Sequence, residues 1–321
     1  MIHSWLKVRI SQRREEATDV SSFELMDPEG RALPLFTAGA HVDVQIGEDL
    51  IRQYSLCNDP SEQHRYVIAA LRDTNGRGGS VALHDKFREG DFINVSEPRN
   101  HFPLAVEATR HLLLAGGIGV TPMISMAEHL ARRDVDFELH YCTRTAARTA
   151  FAERIRQSSY ADKAVFHHDD GPDAQKFDAV KLLAQPSPGT HLYVCGPSGF
   201  MNHVLQAAKQ NGWSDAQIHR EYFAPAEQVT TPAGQFEVEL ASTGQVFVIP
   251  ANKPIVEVLF ENGIEISTSC DQGVCGTCLT RVISGIPDHR DSFLTDQERE
   301  QNDQMTPCCS RAKTARLVLD L

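Results

Sequence analysis

The run Cys270-Asp-Gln-Gly-Val-Cys275-Gly-Thr-Cys278 constrains this chain more than any other stretch. Three thiols at C-x4-C-x2-C spacing, with the doublet Cys308–Cys309 downstream, match the plant-type [2Fe–2S] pattern. In that pattern one loop supplies three thiolates and a distant position supplies the fourth. Two irons require four anionic sulfurs, and the loop must fold tightly around them. Gly273 and Gly276 permit the wrapping, and their backbone N–H groups can donate to sulfur and raise the potential. A structural zinc site is the competing reading, but such sites usually pair two C-x2-C hooks and only one hook is present. Spacing does not choose between Cys308 and Cys309.

The other cysteines, Cys57, Cys142 and Cys195, are scattered, and a chain of 321 residues buries a core without disulfide staples. That length predicts two or three domains. With 31 basic against 43 acidic residues the formal charge is −12, which repels phosphate backbones and argues against nucleic acid as a partner. The most apolar segment, Leu112–Met126, is interrupted by Gly116, Gly117, Gly119 and Pro122, so no membrane span is expected. The opening MIHSWLKVRISQRREE runs straight into charge and lacks a secretory core, so the expected location is cytoplasmic.

Short alternating runs (LKVRI, HVDVQI, RQYSLC, RYVIAAL, DFINVS) divided by Gly, Asp and Pro predict an antiparallel sheet or barrel, with one helix near Ser80–Phe87. From His111 the pattern becomes strand–helix alternation. HLLLAGG, DFELHYC, KAVFHHD and HLYVCG predict buried parallel strands; Pro122–Arg132, Thr149–Ser158, Asp178–Leu183 and Gly199–Asn211 predict the helices between them. APAEQVTTPAG after Phe223 has linker composition. QFEVELASTGQVFVIP then predicts a hairpin turning at Ser242–Gly244, followed by a helix over Ile255–Glu261 and the cysteine loop.

Arg52-Gln-Tyr54-Ser55 on a barrel strand suits a flavin: the Arg for phosphate, Tyr54 against the ribityl chain or ring, Ser55 near N5. Ordinary packing of a half-buried strand explains the same residues. Gly78, Gly79 and Ser80 before a helix make an anion site; a plain glycine turn with a serine cap is the alternative. Gly116, Gly117 and Gly119 directly after an apolar strand offer amides to a pyrophosphate, with Thr121 expected to cap a helix starting at Pro122. The spacing is not the full dinucleotide fingerprint, and Arg144 near the next strand end leaves NAD and NADP both open. Cys195-Gly196-Pro197 ends another strand, where open α/β sheets bind ligands, although a lone Cys in an apolar strand is also simple core.

Taken in order, RxYSLxN, GRGGS, GGIGVTPM, YCTR, YVCGP, EYF and the cysteine loop resemble the phthalate dioxygenase reductase-like family along essentially the whole chain. The ending CCSRAKTARLVLDL resembles its vanillate O-demethylase reductase subgroup. The resemblance implies a multidomain β and α/β protein. Its parts would be an FMN-binding antiparallel β-barrel over 1–104, an NAD-binding parallel α/β domain over 105–227 and a β-grasp ferredoxin over 235–321. It implies flavin contacts at Arg52, Tyr54, Ser55, Gly78, Gly79 and Ser80, with Phe223 near the flavin face. Nucleotide contacts would come from Gly116, Gly117, Gly119, Thr121, Tyr141, Cys142, Thr143, Arg144, Cys195, Gly196 and Pro197. Ser55, Cys195 and Phe223 would flank the reacting atoms, and Cys270, Cys275, Cys278 and Cys308 would hold the metal, leaving Cys309 as a neighbour.

The implied activity is electron transfer from NADH through FMN and a [2Fe–2S] cluster to a Rieske-type oxygenase acting on an aromatic acid or methoxy-aromatic. The contact would be transient and the protein a monomer. Asp271, Asp288 and Asp291 near the cluster are expected to steer a basic partner face, unless they are merely solvated surface. Other functions remain open on the residues alone. A diffusible carrier leaves the first 228 residues without a role, a free-flavin reductase has no need of a cluster, and a redox sensor predicts no steady NADH turnover.

Overall fold

Alternation of apolar and polar residues in the first hundred positions builds an antiparallel sheet. Its elements in chain order are β1 (Leu6–Ala17), β2 (Val20–Met26), β3 (His41–Gly47), β4 (Leu50–Ser55), β5 (Tyr66–Leu71), helix α1 (Gly79–Lys86) and β6 (Phe92–Val95). The spatial order is β4-β3-β6-β1-β2-β5, and an antiparallel bridge between Leu56 and Ile68 ties the two edges into a barrel. Inward positions such as Val8, Ile10, Phe23, Leu25, Val42 and Val44 fill it. Strand β2 was not foreseen. Its serines Ser21 and Ser22 resemble turn residues, yet both are buried, and Ser22 donates to Glu16 at 2.6 Å. The computed structural model describes residues 5–47, 50–223 and 234–321.

The strand–helix alternation folds as expected into β7 (Arg110–Gly116), α2 (Val120–Arg132), β8 (Asp136–Thr143), α3 (Ala152–Arg156), β9 (Ala164–His168), α4 (Ala179–Leu182), β10 (Thr190–Cys195), α5 (Ser198–Gln210) and β11 (Ile218–Glu221). All five strands are parallel, in the order β11-β10-β7-β8-β9. The helix expected over Thr149–Ser158 contracts to α3, because Phe151 takes a left-handed φ of 60° immediately before it. Strand β11, Ile-His-Arg-Glu, carries no apolar signature, but it pairs along the edge of β10. The apolar face of α2 (Met123, Ile124, Met126, Ala127) packs in one cluster with Leu113, Leu139 and Tyr141 of its own sheet and with Val20, Cys57, Val67, Ala69 and Phe102 of the barrel region. This shared core makes Ile2–Phe223 one compact unit.

The second unit, Ala224–Leu321, contains β12 (Phe236–Leu240), β13 (Val246–Ile249), α6 (Ile255–Glu261), β14 (Thr280–Ser284), β15 (Pro287–Asp288), α7 (Asp296–Gln301), β16 (Gln304–Met305), β17 (Arg311–Ala312) and β18 (Arg316–Leu319). Its main sheet runs β13-β12-β18-β14-β16, with β12 and β18 parallel, and α6 packs on it through Ile255, Val258 and Leu259. A mixed sheet with one helix packed on it is the expected ferredoxin arrangement. Buried Arg311 fastens the loops of this unit, donating to the carbonyls of Lys253 (2.9 Å), Pro250 (2.8 Å) and Gly234 (3.3 Å). The expected linker APAEQVTTPAG lies outside the described residues except for Gly234. Among the described residues no helix is long and apolar enough to cross a membrane.

Candidate functional site

The cysteine loop owes its shape to two glycines that no other residue could replace without displacement. Gly273 and Gly276 hold φ of +69° and +70°, and each is covered: a Cβ on Gly273 would stand 2.3 Å from Cys309 Sγ, and one on Gly276 2.3 Å from the Phe293 ring. The loop turns its amides onto sulfur: Gln272 N and Val274 N donate to Cys270 Sγ, and Thr277 N to Cys275 Sγ, each at 3.4 Å. Cys270, Cys275, Cys278 and Cys308 are all buried free thiols. Cys270 contacts Cys275 and Cys308, which hold its proton affinity well down, while Cys308 contacts Cys270, Cys278 and Cys309 and is pushed up. Among the described residues no three such side chains surround a single point as a lone ion requires. The four thiols instead form one connected group, Cys275–Cys270–Cys308–Cys278, and four thiolates are what a two-iron centre needs. Buried sulfurs with amide donors aimed at them fit an anionic iron–sulfur centre. Cys309 adjoins this group: its thiol contacts that of Cys308, packs on Gly273 and lies 3.3 Å from Thr306 Oγ1.

Two of the three carboxylates expected to steer a partner are committed elsewhere. Asp291 is 3 % exposed and turned into the protein, and Asp288 is paired with Arg290 at 2.8 Å. Only Asp271 is exposed. A polar residue in a loop reads as solvated from sequence alone; here the loop folds back over the cluster region and buries it.

Two stretches of the barrel that are far apart in sequence meet at Arg52. Its side chain lies over Gly79, where a Cβ would come within 2.5 Å of Arg52 Cγ, and its Nη2 donates to Arg77 O at 2.9 Å. Gly78 is in the left-handed region at φ +77° with open space beside it. Ser80 is not a cap. It is the second residue of α1, whose N-cap is Gly78, and its Oγ accepts from Asp73 N at 3.1 Å. Tyr54 is half-buried against the barrel core.

Ser55 ends β4 buried, and its Oγ donates to Glu221 Oε2 at 3.4 Å. Glu221 ends β11 in register with Cys195 at the end of β10. A barrel strand and two ends of the parallel sheet therefore converge on three side chains. Burial pushes the Glu221 carboxyl up to about 8 against the opposing hydrogen bond from Ser55, so it is mostly neutral at pH 7. Burial also drives the Cys195 thiol well above its ordinary value, with Glu221 adding to the effect. Such a thiol is not a thiolate nucleophile. In the sequence Glu221 stands out only as part of the EYF motif, because an acid on a short charged strand gives no sign of burial. Phe223, two residues on, is 41 % exposed.

The glycine-rich loop is locked to the end of β10 by close backbone approach. A Cβ on Gly119 would fall 2.2 Å from Cys195 O, and one on Gly196 2.9 Å from Gly116 Cα. Gly116 in turn lies under Phe200 and Pro197, whereas Gly117, at φ +54°, faces open space. Gly117–Gly119 form a 3-10 turn and α2 starts at Val120, so Thr121 does not cap it. Its hydroxyl donates to Ile118 O at 3.0 Å and is buried. On β8 the strand alternation sorts the remaining residues. Tyr141 is turned into the core beside Phe166, and Thr143 is buried, its Oγ1 2.7 Å from Thr149 Oγ1 and 2.9 Å from His168 Nδ1. Cys142, with its thiol pushed up by burial, and exposed Arg144 are left to present side chains from this strand end.

Residues 238–313 match the family model described as a 2Fe-2S iron-sulfur cluster binding domain, and 95–218 match the N-terminal domain of the dimethylamine monooxygenase subunit DmmA-like proteins. Vanillate O-demethylase oxidoreductase of Pseudomonas sp. (strain HR199 / DSM 7063) is 54 % identical over 98 % of this chain and 100 % of its own length. Phthalate dioxygenase reductase of Burkholderia cepacia is 42 % identical over 99 % of this chain and 98 % of its own. A solved phthalate dioxygenase reductase, described as a modular structure for electron transfer from pyridine nucleotides to [2Fe-2S], aligns with a TM-score of 0.73 at 41 % identity, covering 99 % of this chain and 98 % of that one. With its cluster-binding domain and its relatives matched over nearly their full lengths, the chain belongs to the family of iron–sulfur oxidoreductases that serve as reductase components of two-component oxygenases.

Proposed function

We propose that this chain oxidises NADH at an FMN bound within Ile2–Phe223 and delivers the electrons one at a time, through a [2Fe–2S] centre in Ala224–Leu321, to a Rieske-type oxygenase acting on an aromatic acid or methoxy-aromatic. The observation that carries the reading is the meeting of Ser55, Cys195 and Glu221, where the flavin-motif strand joins the carboxyl ends of two parallel strands. A bound flavin accepts an electron pair and releases single electrons, which matches a hydride donor to a one-electron cluster.

The roles follow from the residues. Arg52 and the amides of Gly78, Gly79 and Ser80 hold the flavin phosphate, Tyr54 packs on the ribityl side, and Phe223 covers the ring face. Gly116, Gly117 and Gly119 present backbone to the pyrophosphate on a turn shaped by Thr121, with Cys142 and Arg144 at the adenosine end over a base of Tyr141 and Thr143. Cys195, Gly196 and Pro197 flank the nicotinamide. Ser55 and a neutral Glu221 keep a proton-donating, uncharged environment beside the site of hydride transfer, and the buried Cys195 supplies bulk rather than charge. Cys270, Cys275, Cys278 and Cys308 ligate the cluster. Asp169 and Asp170 follow β9, their amides donating to the carbonyls of Thr143 and Arg144, and two acidic residues at this strand end favour a free ribose over a 2′-phosphate, hence NADH. Residues 1–104, 105–227 and 235–321 are the flavin, nucleotide and ferredoxin parts of a cytoplasmic monomer whose contact with the oxygenase is transient.

An anaerobic visible titration tests this. NADH should bleach flavin and cluster bands together, and NADPH at equal concentration should do so far more slowly. Protein lacking flavin absorbance, or a cluster that stays oxidised while flavin bleaches, overturns the relay.

A further inference from the structure

Asp291 is buried where a carboxylate has no obvious reason to be. It sits beside a loop of thiols that are anionic when they ligate iron, so its charge opposes theirs. Its hydrogen bonds give the reason for it. Asp291 Oδ2 accepts from Leu294 N at 2.7 Å, closing residues 291–294 into a turn. Arg299 of α7 donates to Asp291 O and lies 3.7 Å from Oδ2, and α7 is anchored by the reciprocal Thr295–Glu298 capping box. His289 Nδ1 stands 3.8 Å from Oδ1 on the other side.

The turn so formed lies directly on the cysteine loop. Ser292 N donates to Gly273 O at 2.9 Å, the Phe293 ring covers Gly276, and Asp291 itself stands 2.8 Å from where a Gly273 Cβ would be. At its other end Arg290 N donates to Ser310 Oγ at 3.1 Å, two residues beyond Cys308. The strap 289–294 thus joins both segments that carry the ligands. We infer that Asp291 is a positioning residue for the [2Fe–2S] centre: by folding this strap over Gly273 and Gly276 it sets the path of the cysteine loop and the direction of its amides toward sulfur. The inference rests on the assignment of the four thiols to a cluster.

Asp291→Asn and Asp291→Ala in the full chain separate positioning from charge, because Asn keeps an oxygen for Leu294 N and both variants lose the carboxylate. Iron and acid-labile sulfide per chain, visible circular dichroism, the electron paramagnetic resonance line shape and cluster lifetime under chelator are read for each. Asn should keep the parental dichroism and line shape, whereas Ala should alter both and shorten the lifetime about tenfold. If Ala does not fold, Arg299→Gln loosens the same strap from α7 and should also shorten the lifetime. Parental spectra and lifetime in the Ala variant, or in Arg299→Gln where Ala fails to fold, overturn the inference. So do equal changes in Asn and Ala, which mark a charge effect. A parent chain that takes up no iron and sulfide overturns the cluster assignment itself.

Discussion

Glu221→Gln replaces a carboxylic acid that is neutral at pH 7 with its neutral isostere, so it removes a titration and leaves the shape. In the folded protein burial raises this carboxyl from 4.5 to about 8, with the hydrogen bond from Ser55 working the other way. The folded state therefore holds a proton that the unfolded chain releases near pH 4.5, and stability falls as pH rises from there until it levels off above 8. At full strength a displacement from 4.5 to about 8 is worth roughly 5 kcal/mol. Glu221 is only partly buried at the residue level, and solvent screening reduces the loss to about 2–3 kcal/mol. Urea unfolding at a series of pH values from 5 to 9 reads this directly. The parent should lose about 2–3 kcal/mol more than the Gln variant across that range, with most of the divergence below pH 8. Hydride transfer from NADH should show the same titration in the parent and lose it in the variant. Parallel stability curves would refute the argument, because they would mean that Glu221 titrates like a solvated carboxyl.

Three further substitutions probe the two units. Gly119→Ala places a methyl 2.2 Å from the Cys195 carbonyl, backbone against backbone. It should cost about 3 kcal/mol and weaken nucleotide binding, checked by thermal melts with and without NADH. Arg311→Ala removes the guanidinium that the carbonyls of Lys253, Pro250 and Gly234 share and should destabilise the C-terminal unit by about 3–5 kcal/mol, read as an earlier loss of cluster absorbance in urea. Arg311→Lys should recover only part of this, since one ammonium cannot span the fork. Cys275→Ser should abolish electron delivery to the oxygenase while NADH–ferricyanide turnover continues, a split visible in paired steady-state assays. Loss of both activities in a folded, flavin-loaded variant would refute the order of the relay.

Local chemistry made much of this protein readable in one dimension. The C-x4-C-x2-C loop, the Gly116–Gly119 turn after an apolar strand and the helix Ile255–Glu261 each depend on residues close in the chain, and each is found where periodicity and spacing place it. Strands β2 and β11 escaped because their burial comes from neighbours: Ser22 of β2 finds Glu16 on the adjacent strand β1, and charged β11 is a strand only because β10 offers an edge. The same division runs through the site. Arg52, Gly79, Gly116, Cys195 and Gly196 announce themselves by type, but Arg52 over Gly79 and Gly119 against Cys195 are contacts between distant segments.

Glu221 and Asp291 mark the limit most clearly. Each is a carboxylate in a polar stretch, and in the sequence each reads as solvated surface. Folding buries Asp291 and withdraws Glu221 part of the way from water, and it supplies the Ser55 hydroxyl to Glu221 and the Leu294 amide and Arg299 to Asp291. Residue identity dictates which ligands and cofactors the chain can hold, because thiols, glycines and cations carry that chemistry wherever they lie. Protonation, reach and strain belong to the folded molecule, because they depend on which distant groups share a residue's space once water has left it.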